Sequence, residues 1–382
     1  MELLNTNIES NYPPTKKVRI RHIIIAGGGT GGHIFPAIAI ANALMQIDSG
    51  LEILFVGAEG KMEMEKVPQA GFKIKGLTIA GLNRHSIFKN FFLPFKIFKS
   101  ILQVRKIFKD FSPDVVIGVG GYSSYPVLRY AQSKGVRNFI HESNSFAGKS
   151  NILLGKRATK IFVASEGMER FFPKEKLIIT GNPIRKAISN STITRSEALR
   201  FFGLEESKKT ILAMGGSLGA GSINEALALD LDLFQSNNLQ LIWQTGKTKS
   251  VEYIRKSKNR KNIWVSVFIE EMEMGYAASD IIISRSGAMA VTELCVTGKP
   301  TVFVPYPLAA EDHQTSNAMR LVNLGAALIV KDKDVSEKLI TTVIELSKNE
   351  PLQKILQNNI HALAIKNGDQ IIALEIFNTV NE

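Results

Sequence analysis

Ile23-Ile24-Ile25-Ala26-Gly27-Gly28-Gly29-Thr30-Gly31-Gly32-His33 joins an apolar run directly to a glycine-rich loop. The same order recurs at Ile211-Leu212-Ala213-Met214-Gly215-Gly216-Ser217-Leu218-Gly219-Ala220. Each loop leads into a helical pattern, so backbone N–H groups and a helix N-terminus converge where a diphosphate can sit. Two such units imply two α/β halves sharing one ligand cleft. Strand-like and helical stretches alternate around them. In the first half the strands read as 21–26, 52–56, 115–119, 137–140, 160–163 and 177–179, with a helix from about Pro36. In the second half they read as 210–214, 239–244, 263–268, 280–284, 301–304 and 327–330. This alternation predicts two doubly wound parallel sheets, and in such sheets ligands bind outside the carboxyl ends of the strands, where the polar and glycine motifs fall. The turn-rich stretch Thr180-Gly181-Asn182-Pro183-Ile184-Arg185 marks the end of the first domain.

Composition narrows the class. The chain has 382 residues, 45% apolar and 21% charged, which suits two soluble domains with real cores. A single cysteine, Cys295, excludes an internal disulfide, fits a reducing compartment and is too little for a thiolate zinc site. The first seventeen residues lack the apolar centre of a signal peptide and read as a frayed tail. No later stretch reaches the roughly 20 apolar residues of a membrane span. The net charge of +12 points to acidic partners. The basic run 256–261 carries no aromatics and reads as a solvated loop. Residues 87–111 differ: they hold seven of the 21 phenylalanines and six basic residues against one acid. Pro94 suits a first helical turn, and Ile97, Phe98, Ile101, Leu102, Arg105 and Phe108 follow at helical spacing. Phe88, Phe91, Phe92 and Phe95 exceed what one core-facing stripe needs. The two readings are an interfacial patch on an anionic membrane and plain core with solvated charge.

Gly27, Gly29 and Gly32 satisfy the dinucleotide pattern, yet the second strand offers no clear ribose acid apart from Glu59. His33, at a helix start behind the loop, reads as a proton acceptor kept neutral by the helix dipole. Gly120-Gly121-Tyr122-Ser123-Ser124 and His141-Glu142-Ser143-Asn144 crowd polar groups at two further strand ends, where either they satisfy one another or they face a polar substrate. In the second half, Ser217 can donate to a phosphate. The turn Arg285-Ser286-Gly287-Ala288-Met289 opens a helix carrying Glu293, placed to take ribose hydroxyls. Glu311-Asp312-His313-Gln314 fits a sugar-binding loop better than a metal site, and Asp230-Leu231-Asp232 reads as a chance match to a metal–nucleotide motif.

Together these motifs closely resemble the bacterial glycosyltransferases of family 28 that add N-acetylglucosamine to the lipid-linked muramyl-pentapeptide precursor of peptidoglycan. The likeness rests on Gly28–His33, Gly120–Tyr122, His141–Asn144, Gly181–Arg185, Gly215–Ser217, Ser286–Ala288 and Asp312–Gln314, in that order. It implies the GT-B architecture of two Rossmann-like domains facing a cleft: a tail at 1–17, an acceptor and membrane-associating domain at 18–185 and a UDP-sugar domain at 186–360. A last helix at 361–382 returns to the first domain. It also implies inverting transfer from UDP-N-acetylglucosamine to the muramyl 4-hydroxyl of an undecaprenyl-pyrophosphoryl acceptor, without metal or other cofactor, on the cytoplasmic face of the plasma membrane. The implied partners are an anionic membrane surface and other cell-wall synthesis proteins, with no nucleic acid. The catalytic candidates are His33 and Glu142. By the resemblance, Ser217, Arg185 and Ile269 serve the diphosphate and uracil, Glu293 the ribose and Gln314 the sugar. Thr30, Gly31, Gly32, Tyr122 and Asn144 close from the acceptor side, and Ala288 and Met289 line the donor turn. Leu218, Tyr125 and Ala290 depart from the family pattern, which leaves side-chain donor contacts at 218 and 290 open.

Overall fold

A computed structural model describes residues 20–79, 93–216 and 218–382. The first half lays down β1 (His22–Ala26), α1 (Gly31–Ile47), β2 (Glu52–Ala58), α2 (Glu63–Gln69), β3 (Lys73–Leu77) and α3 (Leu93–Phe111). It continues with β4 (Val115–Gly118), α4 (Ser124–Ser133), β5 (Arg137–Glu142), α5 (Lys149–Gly155), β6 (Lys160–Val163) and β7 (Leu177–Ile179). These strands form one parallel sheet of order β3-β2-β1-β4-β5-β6-β7. The order reverses between β1 and β4, and there the loops after both strands meet.

After the short α6 (Lys186–Ser189) and α7 (Arg195–Phe202) come β8 (Lys209–Met214), α8 (Gly221–Leu229), α9 (Leu231–Ser236), β9 (Leu239–Gln244), α10 (Ser250–Ser257) and β10 (Ile263–Ser266). Next are α11 (Met272–Ala278), β11 (Ile281–Ser284), α12 (Ala288–Thr297), β12 (Thr301–Phe303), α13 (His313–Asn323) and β13 (Leu328–Ile329). The second parallel sheet runs β10-β9-β8-β11-β12-β13, reversing between β8 and β11. Three helices close the chain: α14 (Val335–Lys348), α15 (Glu350–Ala362) and α16 (Gly368–Asn381).

The two doubly wound sheets are those the alternation predicts. Two local readings change. The first helix starts at Gly31, so Pro36 lies inside it; the loop is shorter than expected, and Gly31 and Gly32 belong to the first helical turn. The strand β3 goes unread because its edge position leaves Lys73 and Lys75 exposed, which hides the apolar alternation.

Strand alternation divides the first core. Ile23 and Ile25 of β1 pack with Ile40 and Leu44 of α1. Ile24 and Ala26 pack with Val104 and Phe108 of α3. The two helices therefore cover opposite faces of one sheet. On the α1 side lies α16, whose Ile372, Ala373, Ile376 and Val380 are buried in the same cluster. The Arg137 guanidinium of β5 also donates to the Val380 carbonyl. The last helix thus completes the core of the first domain. Truncating a fully buried isoleucine leaves a cavity, so Ile376→Ala should lower stability by about 2–5 kcal/mol. Denaturant unfolding, followed by exchange protection of the α1 amides, would show that loss in the first domain.

Candidate functional site

The first glycine loop is shaped by a carboxylate that sequence reasoning missed. Glu63, 1% exposed at the start of α2, accepts from the Gly29 N–H at 2.9 Å and the Ala58 N–H at 3.0 Å. It takes a loop donor and sets a negative charge against Gly28, which disfavours a diphosphate there. Glu59, the one ribose-acid candidate, instead accepts from the Thr78 hydroxyl at 3.0 Å. The loop meets the one after β4 at very short range: a Cβ on Gly121 would lie 2.4 Å from the Gly28 carbonyl oxygen, and Gly121 has φ +82°. Tyr122 lies over Gly29, and Thr30 stays exposed at the mouth.

His33 Nδ1 is 3.1 Å from the Gly28 carbonyl and 3.3 Å from Thr30 Oγ1. A carbonyl only accepts, so the neutral ring carries its proton on Nδ1 and keeps the Nε2 lone pair free. Nε2 lies beside Gly120, where a Cβ would approach to 2.9 Å. Burial lowers the His33 pKa below 6.5, partly offset by the Glu142 charge, and His313 of the second domain lowers it further.

Glu142, 4% exposed, binds its own loop instead of pointing into open space. Its Oε1 accepts from the Asn144 N–H at 3.1 Å and Asn144 Nδ2 at 3.3 Å. Its Oε2 accepts from the Gly148 N–H at 3.0 Å and Asn151 Nδ2 at 2.9 Å. The structure therefore places Glu142 as the organiser of residues 143–148. That loop is held to the second domain by two asparagines absent from the sequence-based list. Asn317 accepts from the Ser145 N–H at 2.9 Å and donates to the Ser286 carbonyl at 3.1 Å and Asn144 Oδ1 at 3.4 Å. Asn182 donates to the Ser143 carbonyl at 3.0 Å and Thr292 Oγ1 at 2.9 Å.

Across the cleft, α12 begins after Gly287 with no side-chain cap, so Ala288 and Met289 open a helix N-terminus suited to an anion. Arg185 Nε and Nη2 donate to Glu293 Oε1 at 3.2 and 3.1 Å, and the Tyr276 hydroxyl donates to Oε2 at 2.8 Å. Burial beside that carboxylate drives the Tyr276 pKa well above 10.0. Oε1 has both lone pairs taken by Arg185, and Oε2 keeps one for a hydroxyl donor. The Ile269 N–H is taken by Gln244 Oε1 at 3.0 Å, which leaves its carbonyl. Gln314 Oε1 accepts from the Tyr306 N–H at 3.0 Å, which leaves its amide N–H groups. Ser217 lies outside the described residues. Among the described residues no three His, Cys, Asp or Glu side chains gather as a metal site.

His141, fully buried beside these loops, makes no hydrogen bond of good geometry from either ring nitrogen among the described residues. Burial pushes its pKa down from 6.5 to about 4. Below pH 6.5 the unfolded chain binds a proton that the folded chain refuses. Stability should therefore fall by roughly 3 kcal/mol as pH drops from 6.5 to about 4. Melting curves of the wild type and His141→Gln across this window test it: the variant should lose much of the acid sensitivity, and parallel curves would exclude His141 as its source.

Residues 23–163 match the glycosyltransferase family 28 N-terminal domain and residues 210–371 the family's C-terminal domain. The chain is 49% identical over 358 residues to the UDP-N-acetylglucosamine–N-acetylmuramyl-(pentapeptide) pyrophosphoryl-undecaprenol N-acetylglucosamine transferase of Phocaeicola vulgatus, covering 93% of this chain and 95% of the relative. It is 46% identical over 370 residues to the Parabacteroides distasonis protein of the same name, covering 96% and 100%. The crystal structure of MurG from Acinetobacter baumannii superposes with a TM-score of 0.76 at 29% identity, covering 93% of this chain and 99% of that one.

Proposed function

Because the chain belongs to glycosyltransferase family 28, we propose that its cleft transfers N-acetylglucosamine from UDP-N-acetylglucosamine to the muramyl sugar of an undecaprenyl-pyrophosphoryl muramyl-pentapeptide, a step of peptidoglycan synthesis. The observation that carries this reading is the pairing of two unlike switch points. One presents a neutral imidazole with a free Nε2. The other presents an uncapped helix N-terminus beside the Arg185–Glu293–Tyr276 chain.

The reaction is a single inverting displacement. The muramyl 4-hydroxyl attacks the anomeric carbon of the donor, the bond from that carbon to the UDP oxygen breaks, and the hydroxyl proton passes to His33 Nε2. The α12 N-terminus and Arg185 meet the charge that grows on the leaving diphosphate. Glu293, held on both oxygens, accepts from the ribose. Gln314 donates to the sugar hydroxyls. Glu142 and Asn144 shape the acceptor wall. Glu63 makes the first loop a poor diphosphate site, which leaves the donor diphosphate to the second domain and gives the first loop to the muramyl ring of the acceptor, whose own pyrophosphate lies across that ring from the attacking hydroxyl.

The acceptor is membrane-borne, and α3 offers the surface to meet it. Phe95, Phe98 and Leu102 are 69%, 60% and 49% exposed. Lys99, Arg105, Lys106 and Lys109 stand on the same helix, while the helix packs inward through Val104 and Phe108. Among the described residues no helix is long and apolar enough to cross a membrane. The protein works peripherally, on the cytoplasmic side of the plasma membrane, with this face on anionic lipid. Phe88, Phe91 and Phe92, part of the same reading, lie outside the described residues.

UDP release from UDP-N-acetylglucosamine should depend on the lipid-linked muramyl acceptor; release without it would turn the assignment toward a hydrolase or epimerase. His33→Ala should lower kcat by about 10²–10⁴. The acid limb of the wild-type kcat/KM profile should fall below pH 6.5, since the depressed pKa keeps the imidazole neutral there. Replacing Phe95, Phe98 and Leu102 together by serine should weaken flotation with anionic vesicles while leaving UDP-N-acetylglucosamine affinity unchanged.

A further inference from the structure

The acceptor has two arms, and the first domain has two faces to receive them. Muramic acid carries its peptide through a lactyl ether on C3, beside the attacking 4-hydroxyl. Its pyrophosphate and lipid leave from C1, across the ring. With the 4-hydroxyl at His33 and the donor, the peptide must begin next to the wall that holds the donor, and the lipid must depart from the far side.

A groove of about 520 Å³ runs along α1, between it and the second domain. One wall is the outer stripe of α1, where Phe35, Ile38, Asn42 and Met45 recur at helical spacing on the face turned away from His33. The other is formed by Lys186 and Met289 of the second domain. Phe35 is 47% exposed, and its ring lies against Gly31 in the first turn of α1. The groove therefore borders the cleft, between Phe35 at the start of α1 and Met289 at the start of α12, and it opens on the α1 side of the sheet, opposite the aromatic and basic face of α3. Its apolar patches suit small aliphatic side chains. Asn42 offers an amide to a peptide backbone, and the exposed Lys186 offers a cation to a free carboxylate. Asp369, the acid in the wall, is buried near Lys186.

We propose that this groove binds the peptide arm of the acceptor while the lipid arm leaves over α3, so that one substrate straddles the edge of the first sheet. The proposal rests on the acceptor assignment above. Its test compares two lipid-linked muramyl acceptors in detergent, one with the pentapeptide and one without, on the wild type, Asn42→Trp, which fills the groove, and Lys186→Glu, which reverses its exposed charge. Each variant should raise KM for the pentapeptide acceptor about tenfold, the size of one modest contact. KM for the peptide-free acceptor and affinity for UDP-N-acetylglucosamine should stay as in the wild type. Equal losses on both acceptors, or none on either, would overturn the groove assignment. Failure of the wild type to transfer to both acceptors would instead overturn the acceptor reading itself.

Discussion

A buried carboxylate accepting four N–H hydrogen bonds organises the centre of this molecule. Glu142 ends β5 inside the protein, where an unpaired charge would be prohibitive. It is tolerated because residues 144, 148 and 151 turn their donors toward it. The backbone of 143–145 then has a defined path, and only on that path can Asn317 reach it from across the cleft and Asn182 tie it to Thr292 of the second domain. Loop conformation, domain contact and the electrostatics around His33 all follow from the demand to satisfy one anion.

The same chemistry makes the two glycine loops unequal. Both follow a strand at the switch point of their sheet. The first, however, has Glu63 bonded to its backbone, and an anion already in residence repels a second. The second domain places an uncapped helix start and Arg185 near its corresponding switch point. A repeated architecture thus presents two unlike sites because a few carboxylates and helix ends differ.

Much of the fold was legible because its signals are local. Isoleucine and valine runs ending in glycine identify buried parallel strands, and nearly every strand lies where those runs place it. β3 escaped because an edge strand exposes its lysines. The candidate site was legible as a set of positions, since glycines and clustered polar groups at strand ends stand out in one dimension. Its wiring was not. Tyr276 meets Glu293 from another helix, Gln244 meets Ile269 from a neighbouring strand, and Asn317 meets Ser145 from the other domain. Such contacts depend on crossovers and domain approach, and no local spacing encodes them. Glu63 left only a faint signal, an acid a few residues beyond β2.

The return of α16 has a consequence for how the chain is made. On the ribosome a domain usually closes its core as soon as its own segment has emerged. Here residues 20–179 can collapse early, but the apolar wall formed by α1 stays uncovered until residues 368–381 have been synthesised and have crossed back over the second domain. The domain made first is thus finished last. A chain interrupted anywhere in its second half therefore carries an open hydrophobic face along α1.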